Sequence, residues 1–376
     1  MAIFSKNNIL IVSAVAGMAL YFLLAHPVLM DDGIQYEGFT HSLARGVLDF
    51  KTFYGFQGLS ILAVPIYWVT HSGISVILTS SILSLASIVL AYYVGKNYWE
   101  SEQAGGIMVV LFLLTPYPYT TMMRGFQESA LLFFILLTIW GSLQKKYWTP
   151  LPWAWGGLVK PFNLVLFPLF IRGFFSKKKI GWLVLALLIG AVYLGINYRQ
   201  TGHFVTNAAI GSYSGFFNNQ QIPSLTESFQ PSLKTFGRAG ANLLFSFRKI
   251  MVPATVIILG LCAILFNRKL FLRREIAIAM ILNLFLVGSL TFSFSKYLLP
   301  ITTLCSLLSV GYFLRYRWLF IILFADALLV FIAIYDYFGH VFWNSFWIYL
   351  IPLYLAGIII FLLKKTPAVG GLQELG

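Results

Sequence analysis

Met30-Asp31-Asp32-Gly33-Ile34-Gln35-Tyr36-Glu37 follows the first long apolar run of the chain, which ends at Leu29-Met30. Acidic residues number only 12 in 376, so two adjacent carboxylates at the end of an apolar run are unusual. Asp is a favourable helix N-cap, and a solvated helix start is the plain reading of the pair. The sharper reading is an acid–base pair at the mouth of a membrane cavity. Ionisable groups at a membrane face are costly to keep and tend to mark function.

The composition favours a membrane. Hydrophobic residues make up 59% and charged residues 10% of the chain, and mean hydropathy is +0.83. A soluble domain carries roughly 25% charged residues. Aromatics at 17% suit interfacial belts and a lined cavity. The net charge of +14 does not imply nucleic acid. The basic residues fall in short clusters between apolar runs, as the positive-inside rule expects. Cys262 and Cys305 both lie in apolar runs and read as small core residues, not as a disulfide or a metal site. The first run, from Ile9 to Met30, lacks a small-residue cleavage site and reads as a retained anchor.

Hydropathy and basic clusters together predict an all-α polytopic membrane protein with about 12 crossings. Span 1 covers 9–29, with Lys6 inside, so Asp31 emerges outside. The 14 apolar residues at 57–70 rise only about 21 Å, too short to cross alone. The stretch 30–73 is therefore expected as one external loop with two interfacial helices, one from Tyr36 to Leu48 and one at 57–70. Further spans are expected at 74–95, 105–121 and 128–143. Two short arms, 148–160 and 161–174, meet at Lys160-Pro161 and form an in-and-out pair against a wet cavity. The alternative for these arms is a single kinked interfacial helix. The chain continues with spans at 180–198, 250–267, 275–292, 298–313, 318–335 and 345–363, and a loose tail at 366–376. An external loop at 199–249 is too long for a turn and suits a lid or substrate loop. Clusters at Lys145, Lys177, Arg268, Arg315 and Lys364 all fall on one side, which puts both termini in the cytoplasm.

The external face then holds most of the polar residues that topology leaves unexplained. They are Asp31, Asp32, Glu37, Arg124, Glu128, Lys160, Arg199, His203, Arg248, Lys296 and Tyr297. Basic residues outside run against the positive-inside rule, and a phosphate-bearing substrate would account for them. Taken singly, each is equally a snorkelling side chain or the partner of a nearby acid. Asp31 or Asp32 is the candidate general base, and His203 is either a second proton carrier or an ordinary polar contact.

Several of these residues fall in patterns that resemble the GT-C superfamily of membrane glycosyltransferases, in particular its protein-mannosyltransferase and lipid A aminoarabinose transferase-like branch. Asp31-Asp32 resembles the acidic pair of the family's first external loop. Leu43-Ala44-Arg45-Gly46 resembles its helix-ending glycine. Thr115-Pro116-Tyr117, with Arg124 to Glu128, resembles its small-Pro-aromatic bend and following acid. Val159-Lys160-Pro161 resembles its basic-Pro break, and Tyr198 to Phe204 the start of its long loop. Lys296-Tyr297-Leu298-Leu299-Pro300 resembles its Arg-Tyr-Leu-Leu-Pro motif, with Lys in place of the commoner Arg.

The resemblance covers residues 1–313, expected as a catalytic transmembrane module, with 314–365 as additional helices. It implies an inverting glycosyltransferase in which the loop Asp is the base and a polyprenyl-phosphate sugar is the donor. The acceptor is a glycan, a lipid or a protein at the external face of the plasma membrane or an equivalent membrane. No further cofactor is implied, and a divalent metal stays open. The absence of a large soluble C-terminal domain argues against an oligosaccharyltransferase or an arabinosyltransferase with a sugar-binding domain. A transporter or flippase of lipid-linked sugars and a non-catalytic assembly subunit are the rival expectations.

Overall fold

The computed structural model describes residues 6–24, 29, 32–53, 56–115, 124–171, 177–201, 252–289 and 298–338. Asp31, His203, Arg248, Lys296 and Tyr297 lie outside them, as do 202–249, the bend at 116–118, the span expected at 345–363 and the tail. The described chain is helical throughout, with no strand.

α1 (Lys6–Leu24) is followed by α2 (Asp32–Ala44) and α3 (Gly58–Thr70). These last two are the short helices expected between the first two spans. α2 begins four residues earlier than the sequence reading placed it, which puts Asp32 inside the first turn. A carboxylate there is favoured by the positive end of the helix dipole, and nothing between Asp32 and Tyr36 interrupts the helix. The helix stops at Gly46, whose φ of +80° is a left-handed conformation that glycine adopts freely. The N–H groups of Gly46 and Val47 donate to the carbonyls of Leu43 (2.9 Å) and Ser42 (3.0 Å), a Schellman closure.

α4 (Ile74–Trp99) is central and packs on α1, α2, α3, α5 (Glu102–Leu113) and α6 (Glu128–Leu143). Its buried serines explain how so many neighbours fit. Ser81 and Ser87 are small and return their hydroxyls to the carbonyls of Ile77 (2.8 Å) and Leu83 (2.8 Å). Small residues of this kind let apolar helices approach without leaving polar groups unsatisfied. Gly95 and Gly105 serve the same close crossing, since a Cβ at Gly95 would lie 2.7 Å from the Ala104 carbonyl.

The two short arms are a helical hairpin. α7 (Pro150–Val159) runs up to Lys160, and a 3₁₀ segment (Pro161–Leu166) with α8 (Pro168–Ile171) runs back. Asn163 locks the two arms together by donating to the carbonyls of Pro152 (3.2 Å) and Trp153 (2.8 Å). Trp153 returns a bond to the Leu164 carbonyl (3.1 Å) and stacks on Phe167 and Phe170. The single kinked helix is thus replaced by an up-and-back pair. α7 rises only about 15 Å, half of a hydrocarbon core of roughly 30 Å.

α9 (Lys177–Thr201), α10 (Ala254–Phe266), α11 (Arg273–Ser289), α12 (Leu299–Arg315) and α13 (Leu319–Phe338) complete the described chain. Among the described residues, Ile74–Trp99 and Lys179–Thr201 are long and apolar enough to cross a membrane. They rise about 39 Å and 34 Å. The apolar stretches found in the other helices are shorter, at 10–17 residues. α9 buries Ala186, Tyr193 and Asn197 along one stripe and exposes Val184, Leu187, Leu188 and Val192. α10 and α11 likewise expose Leu265, Phe266, Ile281 and Phe285. Exposed apolar stripes of that kind are unfavourable in water.

Candidate functional site

One end of the bundle gathers the residues singled out after the first span. Gly33, next to Asp32, is pressed against residue 124: an added Cβ would overlap the Arg124 carbonyl. Asp32 therefore starts α2 directly beside the Arg124–Glu128 segment. Gly125 turns that segment with a φ of +69°, a left-handed conformation that favours glycine, and packs near the side chains of Leu29 and Val76. Ser80 of α4 donates to the Phe126 carbonyl (3.1 Å), and the Gln127 amide donates to the Phe56 carbonyl. Residues 124–128 are thus clamped between α4 and the entry to α3.

The apex of the hairpin reaches the same place. Lys160 donates to Oε1 of Glu128 in an ion pair whose side chains are 10% and 1% exposed. α3 presses on the apex through Gly58, where a Cβ would lie 2.6 Å from the Val159 nitrogen. Arg124 is also buried, with its guanidinium 6.0 Å from the Phe126 ring centre. Burying ammonium and carboxylate separately would be prohibitive, and each makes the other tolerable. Glu37 packs along Gly73, the residue before α4. A carboxylate is favoured there by the dipole of a 26-residue helix.

The loop after α2 is fastened to α9. Gln200 accepts from the Phe50 N–H (3.0 Å) and donates to the Leu48 carbonyl (2.6 Å). The Tyr193 hydroxyl accepts from the Gln57 N–H (3.0 Å). Phe39, Phe50, Leu158 and Tyr193 form a small apolar cluster beneath this fastening. Asp49 closes the loop: hydrogen bonds from the Thr52 side chain, and then from the backbone of Thr52 and Lys51, hold its carboxyl below the usual carboxylate range.

The expected site residues therefore divide. Asp32, Arg124, Glu128 and Lys160 come together, and Glu37 stands on the same helix as Asp32. Arg199 is exposed beside Gln200 and does not join them. Asp31, His203, Arg248, Lys296 and Tyr297 fall outside the described residues. Gln127, Asn163, Tyr193 and Gln200 were not expected. The available signal was an amide or hydroxyl within an apolar stretch, which must find a partner when buried. Among the described residues no group of three or more His, Cys, Asp or Glu is placed to hold a metal ion.

Charge is partitioned between the two ends. At the far end Tyr98 donates to the Phe271 carbonyl (2.8 Å) and Trp99 to the Leu307 carbonyl (2.8 Å). These bonds join the end of α4, which carries Lys96, to the turn that holds Arg268, Lys269 and Arg273 and to the middle of α12. Lys96 pairs there with Glu102, which also accepts from Tyr92. The site end can thus supply a carboxylate at a helix start, a buried cation and a buried ion pair. No family model, curated protein or solved structure matches the chain.

Proposed function

We propose that this chain is an inverting glycosyltransferase of the GT-C type that takes a sugar from a polyprenyl-phosphate donor at the external membrane face. The observation that supports it best is the meeting of Asp32, Arg124 and the Glu128–Lys160 pair at the end of the bundle opposite the basic clusters. In this reading Asp31, with Asp32 beside it, removes the proton from an acceptor hydroxyl. That oxygen attacks the anomeric carbon from the face opposite the phosphate. The bond from anomeric carbon to phosphate oxygen breaks, the configuration inverts, and polyprenyl phosphate leaves. Negative charge grows on the departing phosphate, so a fixed cation beside it favours the transition state over the ground state. Arg124 and Lys160 are the described candidates, joined by Arg248 and Lys296.

The same reading gives about 12 crossings with both termini cytoplasmic, the helices with shorter apolar stretches crossing in company and not alone. The acceptor is a glycan, a lipid or a protein. The decisive experiment incubates purified protein with a panel of labelled polyprenyl-phosphate sugars and natural membrane acceptors. Transfer that depends on Asp31 supports the assignment; no transfer with any donor by monodisperse protein removes it.

A transporter or flippase of lipid-linked sugars is the second reading. The half-length hairpin at 150–171, with a charged residue at its apex, favours it, because broken helices that meet at midplane are common in transporters. Movement of intact donor across a sealed vesicle, without transfer, distinguishes it.

A further inference from the structure

The elements around the candidate site come from distant parts of the chain, yet two of them grip one peptide group from opposite sides. That group joins Phe56 to Gln57, just before α3. Its carbonyl accepts from the Gln127 side-chain amide, and its N–H donates to the Tyr193 hydroxyl (3.0 Å). One rigid plane is thus held by the residue before Glu128 and by α9. Gln57, Gln127 and Tyr193 are all buried.

Neighbouring contacts tie the same few residues to the rest of the site. The Gln57 side chain accepts from Ser60 Oγ (2.7 Å), and the Ser60 carbonyl accepts from Thr40 Oγ1 of α2 (3.2 Å). Gly58 presses on the Val159 nitrogen, next to Lys160 at the hairpin apex. The Gln127 carbonyl accepts from the Leu131 N–H (2.8 Å), so its amide and the Glu128 carboxylate belong to one helix end. Residues 56–60 are therefore where α2, α6, α9 and the hairpin share contacts.

Packing alone does not require a hydroxyl on the buried stripe of α9. A phenylalanine would fill the same space, since the ring already packs on Phe50 at 5.1 Å. Once buried, the oxygen has to be paired, and it meets a backbone N–H 136 residues away. A peptide bonded through both its N–H and its C=O is polarised, each bond strengthening the other. Loss of either bond then weakens the grip from the opposite side.

We infer that Tyr193 and Gln127 are positioning residues, acting through the Phe56–Gln57 peptide to fix the Glu128–Lys160 pair. α9 thereby sets where Lys160 stands. A cation that meets a substrate charge has to be held to within about 0.5 Å, which a rigid peptide plane accomplishes better than a loose loop. The inference rests on the proposal that Lys160 belongs to the site, and not on glycosyl transfer.

The test is acylation of lysines in the detergent-solubilised full chain by acetic anhydride, read residue by residue by peptide mass spectrometry. It needs no donor, so a failure to transfer sugar would remove the reaction and leave this result standing. Lys145, exposed at the far end, reports the reagent's activity in every sample. Wild type is expected to protect Lys160 relative to Lys145. Tyr193→Phe removes one oxygen and keeps the ring on Phe50. It should raise Lys160 acylation at least about fivefold, the weight of one neutral hydrogen bond. Gln127→Met approaches the same peptide from the other side with little change of volume and should act alike. The double variant should match the larger single effect and not the product of the two, because both act on one peptide. Arg273→Gln loses the bonds to the Ile264 and Leu265 carbonyls, far from the site. It should lower the thermal midpoint and leave Lys160 protected. Unchanged acylation in Tyr193→Phe, a multiplied effect in the double variant, or an equal rise in Arg273→Gln overturns the coupling. Wild-type Lys160 as reactive as Lys145 would overturn the buried pair and the coupling with it.

Discussion

Lys160, at the apex of a helical hairpin, is ion-paired with Glu128, in the first turn of α6, across 32 residues of chain. The pair fixes how high the hairpin rises and holds one cation and one carboxylate at the candidate site. It also changes what a substitution there reports. Replacing one partner takes this pairing away from a buried charge, which typically costs up to about 3–5 kcal/mol. Lys160→Ala and Glu128→Gln should each lower the thermal midpoint of the detergent-solubilised protein. The double variant Glu128→Gln/Lys160→Met should lose much less than the sum. A Lys160→Ala protein with a wild-type midpoint and an impaired kcat would make the lysine a donor-phosphate ligand and the pair incidental.

Asp31 and Asp32 should separate in a transfer assay. Asp31→Asn should cut turnover by about 10²–10⁴-fold, the range for a lost acid–base group, with the midpoint kept. Asp32 stands in the first turn of α2, so Asp32→Asn should cost mainly stability, about 0.3–1 kcal/mol from the helix dipole. Near-full turnover by Asp31→Asn would pass the role of base to Asp32 or Glu37.

Three glycines should respond to alanine in opposite directions. Gly33→Ala drives a Cβ into the Arg124 carbonyl, a backbone atom held by the 124–128 clamp. A loss of about 1–3 kcal/mol is expected, with weakened contact between α2 and the site. Gly58→Ala should behave similarly against Val159. Gly181, inside α9, has open space around it, so Gly181→Ala should be neutral or stabilise by up to about 1 kcal/mol. Thermal midpoints of the three variants decide; a harmless Gly33→Ala would mean that α2 does not seat on residue 124.

Gln200 carries both bonds that fasten residues 48–50 to α9. Gln200→Ala should free that loop at a cost of about 1–3 kcal/mol. Limited proteolysis should then cut near Arg45 or Lys51, both exposed, while the wild-type chain is protected. Equal cleavage of both proteins would show that the fastening contributes nothing.

The two ends of the bundle should face opposite sides of a membrane. In a background lacking Cys262 and Cys305, Val47→Cys should react with an impermeant thiol reagent applied to intact cells. Tyr147→Cys should react only after permeabilisation. Both side chains are exposed, so access to the reagent depends on the side of the membrane alone. Outside labelling at position 147 would reverse the topology and move the candidate site with it.

Sequence alone determined the elements that depend on local chemistry. Apolar length and period placed most of the helices, including the short ones at 57–70 and at 148–160 and 161–174, but ran the helix after the first span on to Leu48, whereas it ends at Ala44 and the chain turns at Gly46. The scarcity of carboxylates drew attention to Asp31-Asp32, and the basic clusters set the expectation of a cytoplasmic face. The start of α2 was placed too late, because a helix whose first turn is polar has no apolar period to announce it. Only the tertiary structure decided which charges meet. Hydropathy cannot distinguish a lysine that snorkels from one that pairs, since the outcome depends on a partner 32 residues away. The same holds for Asn163 and Gln200, whose amides read as isolated polar residues until the fold brings Pro152, Trp153, Leu48 and Phe50 within hydrogen-bond distance. Burial makes those bonds obligatory, and burial is a property of the packed bundle and not of any single stretch.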